Sequence, residues 1–309
     1  MVLVSIIISV HNKFDDLQKT IESIRKTTNI NLEIIVVSAA SNDNTDEIIP
    51  EEFPEVRLIK APDIGWGEAN NLGAMDAKGD FFFFSGADIE FMEQWLEKLV
   101  NCSKNIKNLG SIGTIVNRIE HGRNKYTGGI ILRAGGIWNL FYEPEKKDNN
   151  LNNKYKHDNC MFYSVDSVLY PFIKRETFLK SGGFDPDYFY WEDDVDLGLR
   201  LKKMGLNNFI INFYGMKTDA SEWSKKTTYY WNRNRLRLIL KVNEFPINFL
   251  FGFGAILDSM RAATIHLMKG EYEMFHIILS AIIWNLKSLK YTIKSKKSFF
   301  QKNLVSQIQ

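Results

Sequence analysis

Residues 2–10 read Val-Leu-Val-Ser-Ile-Ile-Ile-Ser-Val, apolar and largely β-branched without the two-residue alternation of a half-exposed strand. A run of this kind suits a strand covered on both faces. The same signal returns at residues 33–38 and, in shorter form, at 56–60. Between the first two runs, Phe14, Leu17, Ile21 and Ile24 recur at helical spacing, with Asp15 and Asp16 in the first turn and Arg25 and Lys26 in the last. This charge order complements a helix dipole, so the segment reads as a βαβ unit. A further helix is expected over 67–77, strands over 80–84 and 111–116, and between them a helix marked by Trp95, Leu96 and Leu99. Such alternation predicts a doubly wound, mostly parallel α/β sheet.

Beyond residue 117 the periodicity fails, and Gly, Asn and Lys accumulate as far as 159, where a hairpin and a mobile loop are expected. Structure resumes at 161–174, followed by helices over 175–181 and 194–204 and a strand over 208–214; from Ser224 onward the chain reads as helical. With 309 residues, 45% hydrophobic and 25% charged, the composition excludes disorder and allows one large α/β domain with an appendage. The opening run lacks a basic leader and a small-residue cleavage site, so it is expected to be a strand and not a signal peptide. The later apolar stretches, 246–257 and 275–286, fall short of the roughly eighteen residues that would span a bilayer.

Cys102 and Cys160 cannot build a disulfide framework and stand at no metal-ligand spacing. A reducing compartment is expected, with Cys102 an inert helix residue. His11, His121, His157, His266 and His276 show no paired spacing and are expected on the surface or in the core. From Lys241 to the end, nine basic residues face four acids, and beyond Trp284 there are six lysines and no acid. No aromatic platform is interleaved with them, so nucleic acid is not an expected partner.

In open α/β sheets ligands lie beyond the carboxyl ends of the strands. Three such ends are polar and rich in small residues: Ser9-Val10-His11-Asn12, Ser38-Ala-Ala-Ser-Asn-Asp43 and Ser85-Gly86-Ala87-Asp88-Ile-Glu90. The densest acid cluster is Asp185-Pro-Asp187 with Trp191-Glu192-Asp193-Asp194-Val-Asp196, bracketed by Tyr188, Phe189 and Tyr190. Carboxylates crowded beside aromatic rings repel one another and lose solvent, which raises their pKa and suits a general base. An acidic first helical turn that complements the dipole is the plainer account of the same residues.

Beyond these patterns, the sequence resembles the inverting family-two glycosyltransferases of the GT-A fold, in particular rhamnosyltransferase-like members. The resemblance runs from Val4 to about Lys241. It rests on Val4-Ser-Ile-Ile-Ile-Ser-Val-His-Asn12, Leu32-Glu-Ile-Ile-Val-Val37, Ser41-Asn-Asp-Asn-Thr45, Gly65-Trp-Gly-Glu-Ala-Asn-Asn-Leu-Gly73, the stretch from Gly182 to Arg200, and Arg233-Asn-Arg-Leu-Arg237. It implies a nucleotide-diphosphate-sugar donor, a glycan or lipid-linked acceptor, and a GT-A-like domain over 1–223 followed by a basic amphipathic helical tail over 224–309. Carried over, Ser9, Val10, His11, Asn12, Ser38, Asp43, Asn71, Ala87 and Asp88 would face the donor, and Tyr190, Trp191 and Glu192 the acceptor. Asp193 and Asp194 would hold the catalytic acid position, with Asp194 as the base. Asp88 would face a divalent cation, Mn2+ or Mg2+.

The chain departs from the family pattern at three places. Ser38 replaces the usual Asp after the second strand, Gly86 the first Asp of Asp-x-Asp, and residues 213–218 offer no His. One carboxylate is a thin shell for a hard cation. If basic side chains neutralise the diphosphate instead, Lys217, Lys225 and Lys226 are the nearest candidates in sequence. A degenerate paralogue that binds a glycan or partner without turnover is the alternative these departures leave open. The tail is expected to lie on a membrane surface, with the protein cytoplasmic and peripheral on the inner face. The grounds are the acid-free run of six basic residues between Lys225 and Lys241, the stripes Phe249, Phe253, Ile256, Met260 and Ile278, Ile282, Leu286, Leu289, and Trp284 before the last lysines.

Overall fold

The computed structural model describes residues 2–104, 106–120, 123–125, 129–131, 137–139, 154–157, 160–219, 224–242 and 246–294. The run at residues 2–10 supplies β1 (Val4–Val10), parallel to β2 (Leu32–Ala39) on one side and to β4 (Phe81–Gly86) on the other; β3 (Val56–Ala61) extends the sheet beyond β2. Both faces are covered, as the continuous apolar pattern requires. Ile6 and Ile8 face α1 (Phe14–Thr27), where Leu17, Ile21 and Ile24 are buried, and share that core with Ile49 of α2 (Thr45–Glu52). Ile7 points the other way, into a second core with Ala69 and Ala74 of α3 (Trp66–Asp76). At Gly73 this helix comes so close to β1 that a Cβ would stand 2.4 Å from the Ile7 side chain.

Past β4 the sheet becomes mixed. After β5 (Glu90–Phe91) and α4 (Trp95–Ser103) come β6 (Leu109–Glu120), β7 (Arg123–Lys125) paired with it, and a separate hairpin of β8 (Gly129–Ile131) and β9 (Ile137–Asn139). Next are β10 (Lys154–His157), β11 (Cys160–Val165) and β12 (Phe172–Lys174), then α5 (Arg175–Ser181), α6 (Asp193–Lys203) and β13 (Asn207–Asp219). The order is β10-β11-β13-β6-β12-β4-β1-β2-β3, with β12 antiparallel between β4 and β6, and β13 parallel to β6. The doubly wound α/β expectation is met, and the last strand runs longer than the apolar pattern of 208–214 indicated. The expected hairpin and loop over 117–159 lie largely outside the described residues.

The helical segment comprises α7 (Lys225–Val242), α8 (Ile247–Met268) and α9 (Tyr272–Lys294). No described helix is long and apolar enough to cross a membrane. Four of the six basic residues of α7 are paired with acids of the protein itself, contrary to the acid-free appearance of its sequence. Arg237 is fully buried, 2.6 Å from Asp187 and 3.3 Å from Asp185. Lys241 lies 2.6 Å from both Asp185 and Asp196, Arg235 pairs with Asp258, and Lys225 with Glu273. Their counter-charges come from distant elements, which a reading of one segment does not see. Trp284 likewise lies under the Arg233 guanidinium, 4.5 Å from ring centroid to charge.

The cysteines also require a correction. Cys102 of α4 and Cys160 of β11 form a disulfide across 58 residues of sequence. Spacing rules are silent on pairs that far apart, because sheet order and not local sequence brings them together. Cys102 is therefore a crosslinked residue, and the cysteine pair no longer argues for a reducing compartment.

Candidate active site

The carboxyl ends of β1, β2 and β4 open on a cavity of about 600 Å³. Its wall includes Ser9, Val10 and His11 from β1 and the loop after it, Gly86, Ala87 and Asp88 from β4, and Tyr190, Trp191, Glu192, Asp193 and Asp194 from the acid loop. Thus eight of the residues expected to face donor or acceptor, and both expected catalytic acids, line one space. His11 donates from Nδ1 to the Ala39 carbonyl (2.6 Å), and Asn12 Nδ2 lies 3.2 Å from its Nε2. The two contacts are satisfied together by the Nδ1–H tautomer.

Four expected donor residues, Asn12, Ser38, Asp43 and Asn71, are not part of this wall. Asn12 accepts from the Asn42 main-chain N–H. Asp43 accepts from the first N–H of α1, at Phe14 (2.9 Å), and from the Thr45 hydroxyl (2.5 Å). Although burial opposes ionisation, these donors hold its carboxyl below the usual range. Ser38 is buried, and its hydroxyl has no hydrogen-bond partner among the described residues. Asn71 is fully buried and clasps the Phe184 main chain from both sides, donating to the carbonyl at 2.8 Å and accepting from the N–H at 2.9 Å. These residues set the positions of loops that do line the cavity.

The acid loop is held in a costly conformation. Phe189, Trp191 and Glu192 all have left-handed backbones, at φ 55°, 71° and 69°, which for non-glycine residues costs about 1–3 kcal/mol each. Two elements hold it there. The buried Asn234 of α7 places Nδ2 within 2.8, 2.6 and 2.9 Å of the Tyr188, Tyr190 and Trp191 carbonyls. From the other side, Trp66 N–H donates to the Phe189 carbonyl (2.9 Å), and a Cβ at Gly65 would overlap the Phe189 backbone at 2.3 Å. The glycine before α3 and Asn234 of α7 are therefore two halves of one clasp.

Within that clasp, Glu192, Asp193 and Asp194 are consecutive carboxylates at the start of α6. Burial and the charges of Asp194 and Asp193 push Glu192 up to about 8. Burial likewise raises Asp193 to about 7, and burial with the Asp193 charge raises Asp194 to about 8. Asp196, one turn on, behaves oppositely. Burial opposes its ionisation, but Lys241 and Arg200 hold it down at about 2. Environment thus sorts four acids within five residues into a structural ion pair and a proton-accepting group, which is how acid and base roles are separated in active sites.

The charges that would meet a diphosphate differ from those the sequence pointed to. Lys217 pairs with Glu90 and Lys225 with Glu273, both away from the wall. Lys226 is in the wall, over the Phe189 ring at 5.0 Å. Lys13 was missed: it reaches from the end of β1 to Asp88, Nζ to Oδ2 2.7 Å. Asp63, Trp66, Tyr170 and Asp219 also line the cavity, and only Trp66, inside the Gly65–Gly73 motif, carried a signal. Among the described residues no three His, Cys, Asp or Glu side chains gather as a metal-binding group. A Cβ at Gly86 would already lie 2.9 Å from Asp88 Oδ1, so a second carboxylate there would displace the first. The residues present do not fit a divalent cation.

A twisted sheet parallel through its first half, with acids and small residues collected at the strand ends and an acid loop facing them, defines a GT-A-type α/β fold. The chain belongs to glycosyltransferase family 2: the model described as "Glycosyl transferase family 2" matches residues 5–169. It is 26% identical over 211 residues to the O-antigen biosynthesis protein RfbC of Myxococcus xanthus, covering 66% of this chain and 16% of that protein. It is 31% identical over 194 residues to an uncharacterised glycosyltransferase of Rickettsia typhi, covering 62% and 56%. It is 23% identical over 215 residues to the N-acetylglucosaminyl-diphospho-decaprenol L-rhamnosyltransferase of Mycobacterium tuberculosis H37Rv, covering 61% and 67%. The crystal structure of GalNAc-T7 with UDP, GalNAc and Mn2+ shares the fold with a TM-score of 0.62 at 18% identity, covering 96% of this chain and 58% of that one. The chain thus spans about a sixth to just over half the length of the first two of these relatives.

Proposed function

We propose that this protein is an inverting glycosyltransferase that moves a sugar from a nucleotide-diphosphate donor to a glycan or lipid-linked acceptor. The observation that carries the reading is the half-buried Asp194, a carboxyl pushed toward 8 in the wall of a cavity whose other side is the strand ends. In the transfer, the acceptor hydroxyl gives its proton to the Asp194 carboxylate as its oxygen bonds the anomeric carbon. The bond from that carbon to the diphosphate oxygen breaks on the opposite face, and the nucleoside diphosphate leaves with the electron pair. Ser9, Val10, His11, Ala87 and Asp88 border the donor side, and Tyr190, Trp191 and Glu192 the acceptor side. The names of the Myxococcus and Mycobacterium relatives support a polysaccharide or lipid-diphosphate acceptor and a rhamnosyl-type sugar. A panel of nucleotide-sugars screened by thermal shift, followed by transfer assays with prenyl-diphosphate-linked acceptors, tests this. A stabilising donor that is consumed with inverted product stereochemistry is expected. A glycan that stabilises the protein while no donor does would favour the non-catalytic paralogue, for which the orphaned Ser38 hydroxyl is the supporting observation.

The helical segment supports peripheral attachment to an anionic membrane through α8, whose exposed apolar face includes Phe249, Phe253 and Met260 of the expected stripe, whereas Ile278 and Ile282 of the α9 stripe are buried. Leu250, Phe253 and Leu257 of α8 are 69%, 62% and 54% exposed and follow one another at helical spacing, with Phe249 and Met260 beside them. Lys269, Lys287 and Lys290 are exposed nearby in sequence, and each lysine near an anionic surface adds about 1 kcal/mol. In this reading the protein sits on the inner face of the membrane, and burial of Cys102 would shelter the Cys102–Cys160 bond there. Full-length protein should co-sediment with phosphatidylserine liposomes, less at high salt, and a Leu250→Ser, Phe253→Ser, Leu257→Ser triple variant should stay in the supernatant. Equal sedimentation of the two, or none by either, would remove the proposal.

A further inference from the structure

The strand end where a divalent ion would bridge protein and diphosphate already holds a cation of the protein's own. Lys13 crosses from the end of β1 to Asp88 at the end of β4, and both side chains line the cavity at 45% and 31% exposure. Although burial opposes it, the hydrogen bond and charge of Asp88 raise the Lys13 pKa, so its ammonium stays charged. An ammonium has three N–H donors. One is directed at Asp88, which leaves two for phosphate oxygens. The arrangement carboxylate, cation, diphosphate is the one a metal would build, with a point charge fixed by a salt bridge in place of the ion. Gly86, which offers no second carboxylate, is what such an arrangement needs, because another acid would compete with the diphosphate for the ammonium. Lys226, held over Phe189, supplies a second positive charge in the wall. The upward shifts of Glu192, Asp193 and Asp194 also lessen the negative charge an entering diphosphate would meet.

We propose that Lys13, oriented by Asp88 and assisted by Lys226, binds the donor diphosphate in place of a divalent metal, so that donor binding does not require one. The inference rests on the donor reading given above, and the test separates the two. Titration calorimetry of the full chain with UDP, dTDP and GDP is run in chelator and again in Mn2+. One nucleotide is expected to bind with affinities that agree within about twofold in the two conditions. Lys13→Met should weaken that binding roughly tenfold to a hundredfold, as loss of a charge-assisted hydrogen bond does. Lys13→Arg should restore most of it. Asp88→Asn, which frees the ammonium from its anchor, should weaken it less than Lys13→Met. Thermal melts of each variant establish that it is folded, and Lys13→Gln replaces any Lys13→Met protein that is not. Binding that appears only with Mn2+, or that is unchanged in Lys13→Met, overturns the inference and leaves the donor reading standing. Binding of none of the three nucleotides in either condition overturns both.

Discussion

Asp194→Asn is expected to lower turnover by roughly a hundredfold to ten-thousandfold, the range for loss of a positioned general base, while leaving donor binding and the melting temperature close to those of the parent. Asparagine keeps the shape of the side chain at the start of α6 and loses only the ability to accept a proton. The pH profile gives a second readout. The base must be deprotonated to act, and burial with the Asp193 charge raises Asp194 to about 8. The acceptor-dependent kcat/KM should therefore rise with pH and level off above that value, instead of being flat above pH 5 as an ordinary carboxylate would make it. Asp193→Asn removes the neighbouring negative charge, so its rising limb should move to lower pH. Parent-like turnover in Asp194→Asn, or a rising limb that Asp193→Asn leaves in place, would take the base assignment away from Asp194.

The second large effect is on stability. Arg237→Met should cost about 3–5 kcal/mol, the usual penalty for removing one partner from a buried ion pair. The guanidinium is fully buried against Asp185 and Asp187 and also donates to Thr292 of α9 at 3.1 Å, so its loss leaves carboxylates without their main counter-charge and opens the contact between α7 and α9. Equilibrium unfolding in urea measures it. Lys225→Ala, which removes an exposed pair with Glu273, should change stability by less than about 1 kcal/mol in the same experiment. The network also sets acid sensitivity. Asp196 has its pKa depressed to about 2, so its contribution is complete above the ordinary aspartate value near 3.9 and fades as pH falls through about 2. Arg237→Met with the urea midpoint of the parent would mean that the cluster is replaceable and that α7 is held by its apolar face alone.

Much of the parallel half was legible because its determinants are local. Continuous β-branched runs, the Leu17, Ile21, Ile24 spacing and the acidic-to-basic gradient of α1 each act within a few residues, and the strands and helix lie where those patterns put them. The acid loop could be found for the same reason, since crowded carboxylates beside aromatic rings are a local feature. What stayed hidden are pairings between distant segments. The disulfide joins residues 58 apart, Lys13 of the loop after β1 finds Asp88 beyond β4, and Arg237 and Lys241 of α7 find their anions about fifty residues upstream. Ser38, Asp43 and Asn71 sit close to the cavity in sequence terms, yet their side chains turn inward to hydroxyl, amide or burial constraints that only the packed loops reveal. Charge counting failed most plainly in α7, where four of the six basic residues that looked like a surface for phosphate are taken up by acids of other segments.

The Asn234 clasp bears on how such a protein could be recombined with its relatives. The acid loop and the helix that fixes its backbone are separated by about thirty residues of chain and by the whole of β13, so a crossover placed at the end of that strand would take the loop from one parent and its fastener from another. A hybrid joined there would inherit acids whose strained turn no longer matches the amide and guanidinium that restrain it. Exchange of acceptor preference between relatives should therefore work only when residues 185–196 and α7 travel as one cassette, whereas a cut in α8, which contributes no hydrogen bond to the loop among those described, keeps the loop with Asn234 and parts α7 only from its contacts with α8 and α9.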